Sequence, residues 1–578
     1  MRKTLFYALA FLLCVQLALA QKVPVQELVL ENGLRVLMVP RSGDPNVAAG
    51  WVARVGSVNE RPGITGLSHL FEHMMFKGTH VIGTRNIQDN LKTIEEMDRV
   101  KAELRREEEA LIRKQRLGEI TDPKDPKVRS PRHQQLLAEL ETLIKKEKDS
   151  MIKDEFDRIY TTAGGSGMNA FTTEDLTAYF INVPANKLEL WFWMESDRLA
   201  KPVFREFYSE RDVVHEERRL RTDSTPTGKF DEQYNSLFWQ SSPYGWPIVG
   251  WPSDLEGITR EEALEYFAIH YAPNNLTACL VGDFDPARAT ELARKYFGRL
   301  ARGPREPEPV RTREMKQQAE KRMVAYADTN PEAGIRYHTV ADGHKDEYAL
   351  SMMGDLLNGR TGRLYKSLVL KQAVANNAFA FQVGNKYEGY FQLRGVAKPG
   401  RTPEEVEQAL YKEIERLQQE PVEERELQKV KNQNAAADFR RLQSNFSLMV
   451  QLMLRDSNRG WNTINTEPAL VQAVTADDIK RVANTYFAPE GRTVAIYYTK
   501  KAAAAADDPL LAGLDDQEKA QITRMRGGLA QMKAEQLKAM LGQMEERAGS
   551  APADKQDLMQ AMKKLVQDRI KQLEGGKQ

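Results

Sequence analysis

The chain has 578 residues, a length that predicts more than one domain. Of these residues 41% are hydrophobic and 29% are charged, a composition typical of a globular protein. Lysine and arginine (83) balance aspartate and glutamate (82), and the net charge of +1 removes the main electrostatic argument for a nucleic-acid or anionic-membrane partner. These values also exclude collagen, a disordered chain and a multi-span membrane protein.

The N-terminal segment Met1–Ala20 has the pattern of a secretory signal peptide: a basic start, an apolar stretch and a small-x-small cleavage site. The alternative is an uncleaved membrane anchor. We predict cleavage near Ala20 and a periplasmic or secreted bacterial protein that is not attached to a membrane afterwards. Cys14 would leave with this segment and Cys279 would stand alone, so we expect no intrachain disulfide.

The first half of the chain alternates strand-like and helix-like segments. Asn32-Gly33 between two apolar runs predicts a hairpin, and apolar residues at helical spacing follow a further strand. Charge-dense sequence then predicts two antiparallel helices inserted at about 86–153, with a proline-rich break. Their charged faces are most simply solvated surface. The predicted segments are hairpin 25–39, strand 48–55, helix 66–76, break 121–131, and strands 164–179 and 271–285.

The second half repeats this pattern. Ile335–Val340 reads as a strand and Glu347–Leu357 as a helix, followed by a glycine-containing turn. Aligning the two helices puts His69, Glu72 and His73 opposite Met352, Asp355 and Leu356, so the duplication keeps polar chemistry in one copy alone. We predict an α+β fold with two duplicated domains, each a mostly antiparallel sheet flanked by helices. The predicted boundaries are 21–300, a linker at 301–322, 323–500, and a helical C-terminal extension at 501–578.

One segment carries the strongest chemical signal, His69-Leu-Phe-Glu72-His73. On a helix, side chains four residues apart leave the same face, and Glu72 shares that face with His69. Two imidazoles with a neighbouring carboxylate suit a zinc ion and a base beside it. The alternative is a helix whose histidines are satisfied by hydrogen bonds.

A catalytic zinc ion requires a third protein ligand and an open position. The helix-like segment Glu210-Arg-Asp-Val-Val-His-Glu-Glu217 offers candidates, and Glu210 and Glu217 lie two helical turns apart. Composition alone leaves Glu210, His215, Glu216 and Glu217 open as the ligand.

From about residue 26 to 500 the chain resembles the pitrilysin, insulin-degrading-enzyme and mitochondrial-processing-peptidase family of zinc peptidases, whose motif is the inverted HxxEH. Four blocks in the same order carry the resemblance. They are His69-Leu-Phe-Glu-His73, Gly165-Ser-Gly-Met-Asn-Ala-Phe-Thr-Thr173, Glu210-Arg-Asp-Val-Val-His-Glu-Glu217, and Tyr271-Ala-Pro-Asn-Asn275 leading into Val281-Gly-Asp-Phe-Asp285.

The resemblance implies a role for each of these residues. His69, His73 and Glu217 would bind one zinc ion per chain, and Glu210 would be an outer carboxylate that steadies the site. Glu72 would be the general base that takes a proton from a zinc-activated water and passes it to the leaving amine. The inserted helices lengthen the interval between His73 and Glu217 relative to the family and leave both motifs intact.

The block around Asn169, Ala170 and Phe171 resembles the strand on which family members bind an extended peptide by β-strand addition. Backbone pairing of this kind tolerates many sequences. The alternative is a glycine-rich turn followed by an ordinary buried strand.

One departure from the family concerns the C-terminal half. Family members that complete their own chamber carry an Arg and a Tyr there that grip the substrate carbonyl, and Val369 and Asn376 stand at those positions here. Neither side chain supplies the same groups. The departure indicates either drift towards a weak or noncatalytic protein, or a heterodimer whose second subunit, of the same family, supplies the pair. We favour the heterodimer.

These observations predict a secreted zinc metalloendopeptidase that hydrolyses peptides or small unfolded polypeptides. The rival hypotheses are a noncatalytic metal-binding scaffold or assembly subunit of the same family, and a peptide-binding chaperone that uses the Asn169 strand without turnover.

Overall fold

The protein is described here by a computed structural model. It describes residues 22–500, scattered positions between 510 and 532, and helical residues within 534–575. The predicted signal peptide, residues 1–20, lies outside the described residues, as does Cys14. One compact unit ends at Tyr498 and a second begins at Thr499. Within the described ranges, no helix is both long and apolar enough to span a membrane.

The strands of the first unit form two sheets. They are β1 (Gln26–Val29), β2 (Arg35–Pro40), β3 (Asn46–Ala53), β4 (Ser166–Thr172), β5 (Thr177–Pro184), β6 (Leu276–Gly282), β7 (Lys321–Ala327), β8 (Glu332–Thr339), β9 (Ala375–Gly384), β10 (Gly389–Ala397) and β11 (Arg492–Thr499). The order of the first sheet is β1-β2-β6-β3-β5-β4, and that of the second is β7-β11-β8-β10-β9.

Helices account for most of the other described residues. They are α1 (Leu67–Met74), α2 (Ile87–Arg116), α3 (Pro131–Ser150), α4 (Glu155–Thr162), α5 (Leu188–Ala200), α6 (Phe207–Arg218), α7 (Gly228–Phe238), α8 (Pro252–Gly257), α9 (Arg260–His270), α10 (Pro286–Tyr296), α11 (Glu347–Leu357), α12 (Pro403–Gln419), α13 (Glu424–Gln443), α14 (Asn445–Asn458), α15 (Thr463–Ala473), α16 (Ala476–Tyr486), α17 (Ala534–Ala548) and α18 (Gln556–Gly575). Arg219–Asp223 and Tyr365–Lys371 are π-helical.

The two sheets share one topology. Without β1, the first sheet has the order β2-β6-β3-β5-β4, and its counterpart strands in the second sheet follow the same order, β7-β11-β8-β10-β9. In chain order, the first α-helix after β3 is α1, and the first α-helix after its counterpart β8 is α11. This repetition confirms the predicted α+β class and agrees with the predicted duplication. The domain boundaries stay predictions.

At the positions that correspond to His69, Glu72 and His73, the second half has other residues. Asp355 on α11 accepts a hydrogen bond of 2.8 Å from the Asn434 amide on α13, and the same amide lies 4.0 Å from the Met352 sulfur. Met352 and Asp355 are the residues that the sequence alignment places opposite His69 and Glu72. The corresponding place in the second half is therefore filled by an amide–carboxyl contact and a thioether.

The inserted helices α2 and α3 form an antiparallel pair, as predicted, and the break between them runs from Leu117 to Ser130. The charged faces of the pair are largely exposed, and the pair also contacts the segment that carries α6. Asp98 of α2 accepts a hydrogen bond of 2.9 Å from the Tyr208 hydroxyl, and Glu147 of α3 accepts one of 3.2 Å from the Glu206 backbone. The insertion therefore supports the start of α6.

In the second unit, α17 and α18 contribute apolar side chains to a separate core, including Leu537, Leu565 and Val566. The predicted helical extension is helical at these positions.

Candidate metal centre

Helix α1 is anchored at its N-terminus by a buried carboxylate. The Glu60 side chain accepts hydrogen bonds from the backbone N–H groups of Gly66 (2.8 Å) and Ser68 (2.7 Å), which have no partner within the helix. Burial raises the pKa of the Glu60 carboxyl to about 8, although these two N–H donors oppose the shift. The apolar residues of α1, including Leu70 and Phe71, pack into the core.

With the apolar face buried, the two histidines of α1 lie next to each other. Their ring centroids are 5.2 Å apart, and His69 is 7% exposed whereas His73 is half-buried. Burial is the main cause that lowers the pKa of His69. Burial acts in the same direction on His73, but the Glu210 hydrogen bond and nearby carboxylates outweigh it and raise the pKa of His73.

Helix α6 brings one carboxylate to both imidazoles. The Glu217 Oε2 atom lies 3.3 Å from His73 Nε2 and 3.7 Å from His69 Nε2, and one donor atom from each residue lies within 4.8 Å of the others. Ligands of a tetrahedral zinc ion at about 2.0–2.1 Å are roughly 3.3 Å apart. The two histidines and Glu217 therefore fit such an ion in donor type, number and separation.

The other oxygen of Glu217 has its own partner. Arg221 Nη1 lies 2.6 Å from Glu217 Oε1, and the Arg221 side chain is 78% exposed. This contact leaves Oε2 as the oxygen that faces the imidazoles. Arg221 was not predicted from the sequence, although its four-residue spacing from Glu217 was a usable signal.

A second carboxylate of α6 contacts the outer nitrogen of one imidazole. Glu210 Oε2 lies 3.5 Å from His73 Nδ1, and Glu210 Oε1 accepts a hydrogen bond of 2.6 Å from Lys77 Nζ. Burial opposes ionisation of Glu210, but the interactions with His73 and Lys77 outweigh it and lower the pKa of this carboxyl. Lys77 also donates to Glu206 at 3.1 Å, and it is a further residue that sequence analysis missed.

Glu72 lies on α1 but outside the set of converging donor atoms. Its Oε2 atom accepts a hydrogen bond of 2.7 Å from the Thr172 hydroxyl at the end of β4. Thr172 stood within the quoted motif, yet nothing in the sequence marked it as a partner of Glu72.

The other candidates on α6 point away from the histidines. Glu216 is exposed and pairs with Arg219, and His215 Nε2 lies 3.4 Å from Glu256 Oε1. Of the four alternatives left open by composition, the structure brings Glu217 to both imidazoles and Glu210 to the outer nitrogen of one.

Strand β4 lies at the edge of the first sheet and, among the described strands, pairs with β5 alone. Asn169 is exposed, Phe171 is half-buried and Ala170 is buried. The Ala170 N–H donates to the side chain of its neighbour Asn169 at 2.9 Å rather than to β5, and an added strand would replace this local contact. The strand can accept another strand along this edge.

The two positions that replace the family's Arg and Tyr lie in the second half. Val369 is half-buried within the π-helical segment, and Asn376 is exposed on β9, where its amide lies 3.5 Å from the Ala397 carbonyl.

Comparisons with known proteins bear on this geometry. The sequence model described as "Insulinase (Peptidase family M16)" matches residues 35–112, and the model described as "Peptidase M16 inactive domain" matches residues 257–434. The first match contains His69, Glu72 and His73, and the second contains the altered positions of α11.

The chain is also similar to relatives over most of their length. It is 25% identical over 477 residues to "Zinc protease PqqE" of Helicobacter pylori, which covers 80% of this chain and 90% of the relative. It is 19% identical over 427 residues to "Uncharacterized zinc protease YmxG" of Bacillus subtilis, covering 72% of this chain and 85% of the relative.

Solved structures share the fold. A protease from Helicobacter pylori superposes with a TM-score of 0.67 at 23% identity, covering 82% of this chain and 99% of that chain. The periplasmic protease PqqL from Escherichia coli gives 0.59 at 16% identity, covering 85% of this chain and 49% of that chain. The two family matches, the relatives and the common fold together show that the chain belongs to the M16, or pitrilysin-type, family of peptidases.

Proposed function

We propose that this protein is a zinc metalloendopeptidase that hydrolyses peptides or small unfolded polypeptides. The observation that carries the proposal is the convergence of His69, His73 and Glu217 donor atoms within 4.8 Å, with Glu72 beside them but outside the donor set. Relatives named zinc proteases support the same metal. A zinc ion bound there would supply Lewis acidity and make a water nucleophilic near neutral pH.

The remaining chemistry belongs to the chain. Glu72 is the general base: it takes a proton from the attacking water and returns it to the leaving amine. Glu210 holds His73 through the outer ring nitrogen, and Arg221 holds the distal oxygen of Glu217. Such outer contacts fix ligand orientation and tune affinity.

The proposed peptide site is the free edge of β4, at Asn169, Ala170 and Phe171. An extended peptide added there would run beside Glu72, since Thr172 of the same strand contacts that carboxylate. The corresponding edge strand of the second sheet, β9, is closed at its centre. The Asn358 side chain accepts from the Ala380 N–H (2.8 Å) and donates to the Ala380 carbonyl, and this contact occupies both backbone groups.

The decisive experiment is cleavage of an internally quenched extended peptide by the purified, zinc-loaded chain, with and without a chelator. We expect chelator-sensitive cleavage that Glu72→Gln abolishes while zinc content is retained. Near-normal turnover by Glu72→Gln would contradict the role of Glu72. Zinc binding without cleavage, both by the chain alone and together with a second subunit of the family, would favour the metal-binding scaffold, and peptide binding without turnover would favour a chaperone.

We further propose that the chain works with a second subunit of the same family. Val369 and Asn376 lack the donors that grip a substrate carbonyl. The chain corresponds to 49% of PqqL, so two such chains would make an assembly of that length. A pull-down from the source organism should recover a related subunit that carries the Arg/Tyr pair and raises activity. Full activity of the isolated chain would contradict this proposal.

The same proposal includes export, with cleavage near Ala20 and a periplasmic location. Its support is the sequence of Met1–Ala20 and the similarity to PqqL, which is described as periplasmic. N-terminal sequencing of the mature protein should begin near residue 21, and an intact Met1 in the mature protein would contradict it.

A further inference from the structure

We propose that Thr172 is a positioning residue that fixes the Glu72 carboxylate relative to the peptide-binding edge of β4. This inference rests on the proposed function. The Thr172 hydroxyl donates a hydrogen bond of 2.7 Å to Glu72 Oε2, across an interval of 100 residues in the sequence. It links α1, which carries the two histidines, directly to the edge strand.

The strand itself is held rigidly at this point. Thr172 is in register with Thr177 of β5, and Ala170 is in register with Tyr179, which is fully buried. Because side chains alternate along a strand, Thr172 and Ala170 project from the same face of the sheet. Ala170 is buried on that face, and Thr172 meets Glu72 there.

Without such a contact, the carboxylate of a glutamate can rotate, whereas a general base must hold one orientation. Its terminal torsion is broad and roughly two-fold, so either oxygen can turn towards the reaction centre. The bond from Thr172 occupies Oε2 and leaves Oε1 to take the proton from water. A general base acts only within hydrogen-bond reach of that proton, so fixing the carboxylate removes unproductive orientations.

The bond also couples binding to chemistry. The N–H of Ala170 that is free of β5 and the hydroxyl of Thr172 belong to the same short strand. The strand therefore contacts both a peptide paired with its edge and the carboxylate of Glu72, and it fixes their relative position. Thr172 touches none of His69, His73 and Glu217, so zinc binding should not depend on it.

The test compares wild-type protein with Thr172→Val, which keeps the shape and removes the donor, and with Thr172→Ser, which restores a hydroxyl. The free energy of a hydrogen bond to a charged group is equivalent to a change in rate of about 10- to 100-fold. The kcat of Thr172→Val should therefore fall by that factor, with KM unchanged. Thr172→Ser should recover most of the rate. Zinc affinity and the peptide affinity of the metal-free protein should equal wild type, and the unfolding midpoint should fall by no more than the loss of one partly buried hydrogen bond explains.

A crystal structure of Thr172→Val should show the Glu72 carboxylate turned away from its wild-type position. A merely structural role for Thr172 would instead lower zinc affinity, the unfolding midpoint and kcat together. In that case these three quantities would also change together in Thr172→Ser. Wild-type rate in Thr172→Val, in an assay where wild type cleaves and Glu72→Gln does not, overturns the role of Thr172 alone. Absence of cleavage by wild type, both alone and together with a second subunit of the family, overturns the proposed function and this inference with it.

Discussion

The outer carboxylate Glu210 offers a sharp test of how the candidate centre is built. Glu210→Gln preserves size but removes the negative charge that faces His73 Nδ1 at 3.5 Å and Lys77 Nζ at 2.6 Å. The substitution leaves Lys77 with Glu206 as its acidic partner. The three proposed zinc ligands are untouched.

The expected size of the effect follows from these contacts. A carboxylate on the outer nitrogen of a ligating histidine fixes the ring and raises its basicity, and loss of such a partner costs about 10- to 100-fold in metal affinity. This is roughly 1.4–2.7 kcal/mol. An amide at position 210 can still accept one hydrogen bond, so we expect about 10-fold rather than about 100-fold.

The assay is competition for zinc against a fluorescent chelator, at fixed pH, with the unfolding midpoint measured in parallel. Glu216→Gln is the matched control, because Glu216 lies on the same helix, is exposed, and pairs with Arg219 instead of a histidine. It should bind zinc like wild type. Equal zinc affinity in Glu210→Gln and Glu216→Gln would refute the role of Glu210 as a partner of His73.

Three further predictions concern stability. Because the pKa of Glu60 is about 8 instead of its usual 4.5, the folded state holds a proton that the unfolded state has lost, so the unfolding free energy should fall as pH rises from about 4.5 to 8. Glu60→Gln should flatten that slope in urea titrations, and an unchanged slope would contradict it. Glu195→Ala should cost about 3–5 kcal/mol by leaving Arg198 buried without its carboxylate, and a cost below about 1 kcal/mol would be inconsistent with the buried pair. Gly66→Ala should lower the midpoint by an amount equivalent to about 1–3 kcal/mol, because φ is +91° and a Cβ would lie 2.5 Å from the Val249 carbonyl; an unchanged midpoint would contradict this.

Much of the local structure could be predicted because its causes are local. The periodicity of Glu347–Leu357 predicted helix α11 with its observed bounds, and Asn32-Gly33 predicted a hairpin in which Gly33 takes the positive φ such a turn requires. The repeated order of elements also predicted the duplication. These features depend on neighbours within a few residues, or on a pattern that recurs along the chain.

The site was only partly predictable for the opposite reason. The spacing of His69 and His73 sets one face of one helix, but composition could not choose among the acids of α6. That choice depends on how α6 is rotated when it packs against α1. The bond between Thr172 and Glu72 joins residues far apart in sequence, and Lys77 reaches Glu210 from beyond the end of α1. Such contacts follow from tertiary packing.

We propose that Glu217 completes a zinc site with the two imidazoles of α1. The most direct measurement is elemental analysis of purified wild-type protein, Glu217→Gln and the exposed neighbour variant Glu216→Gln after dialysis against a weak chelator. We expect one zinc ion per chain in wild type and Glu216→Gln, and little or none in Glu217→Gln. Equal zinc in all three, or no zinc in wild type, would contradict it.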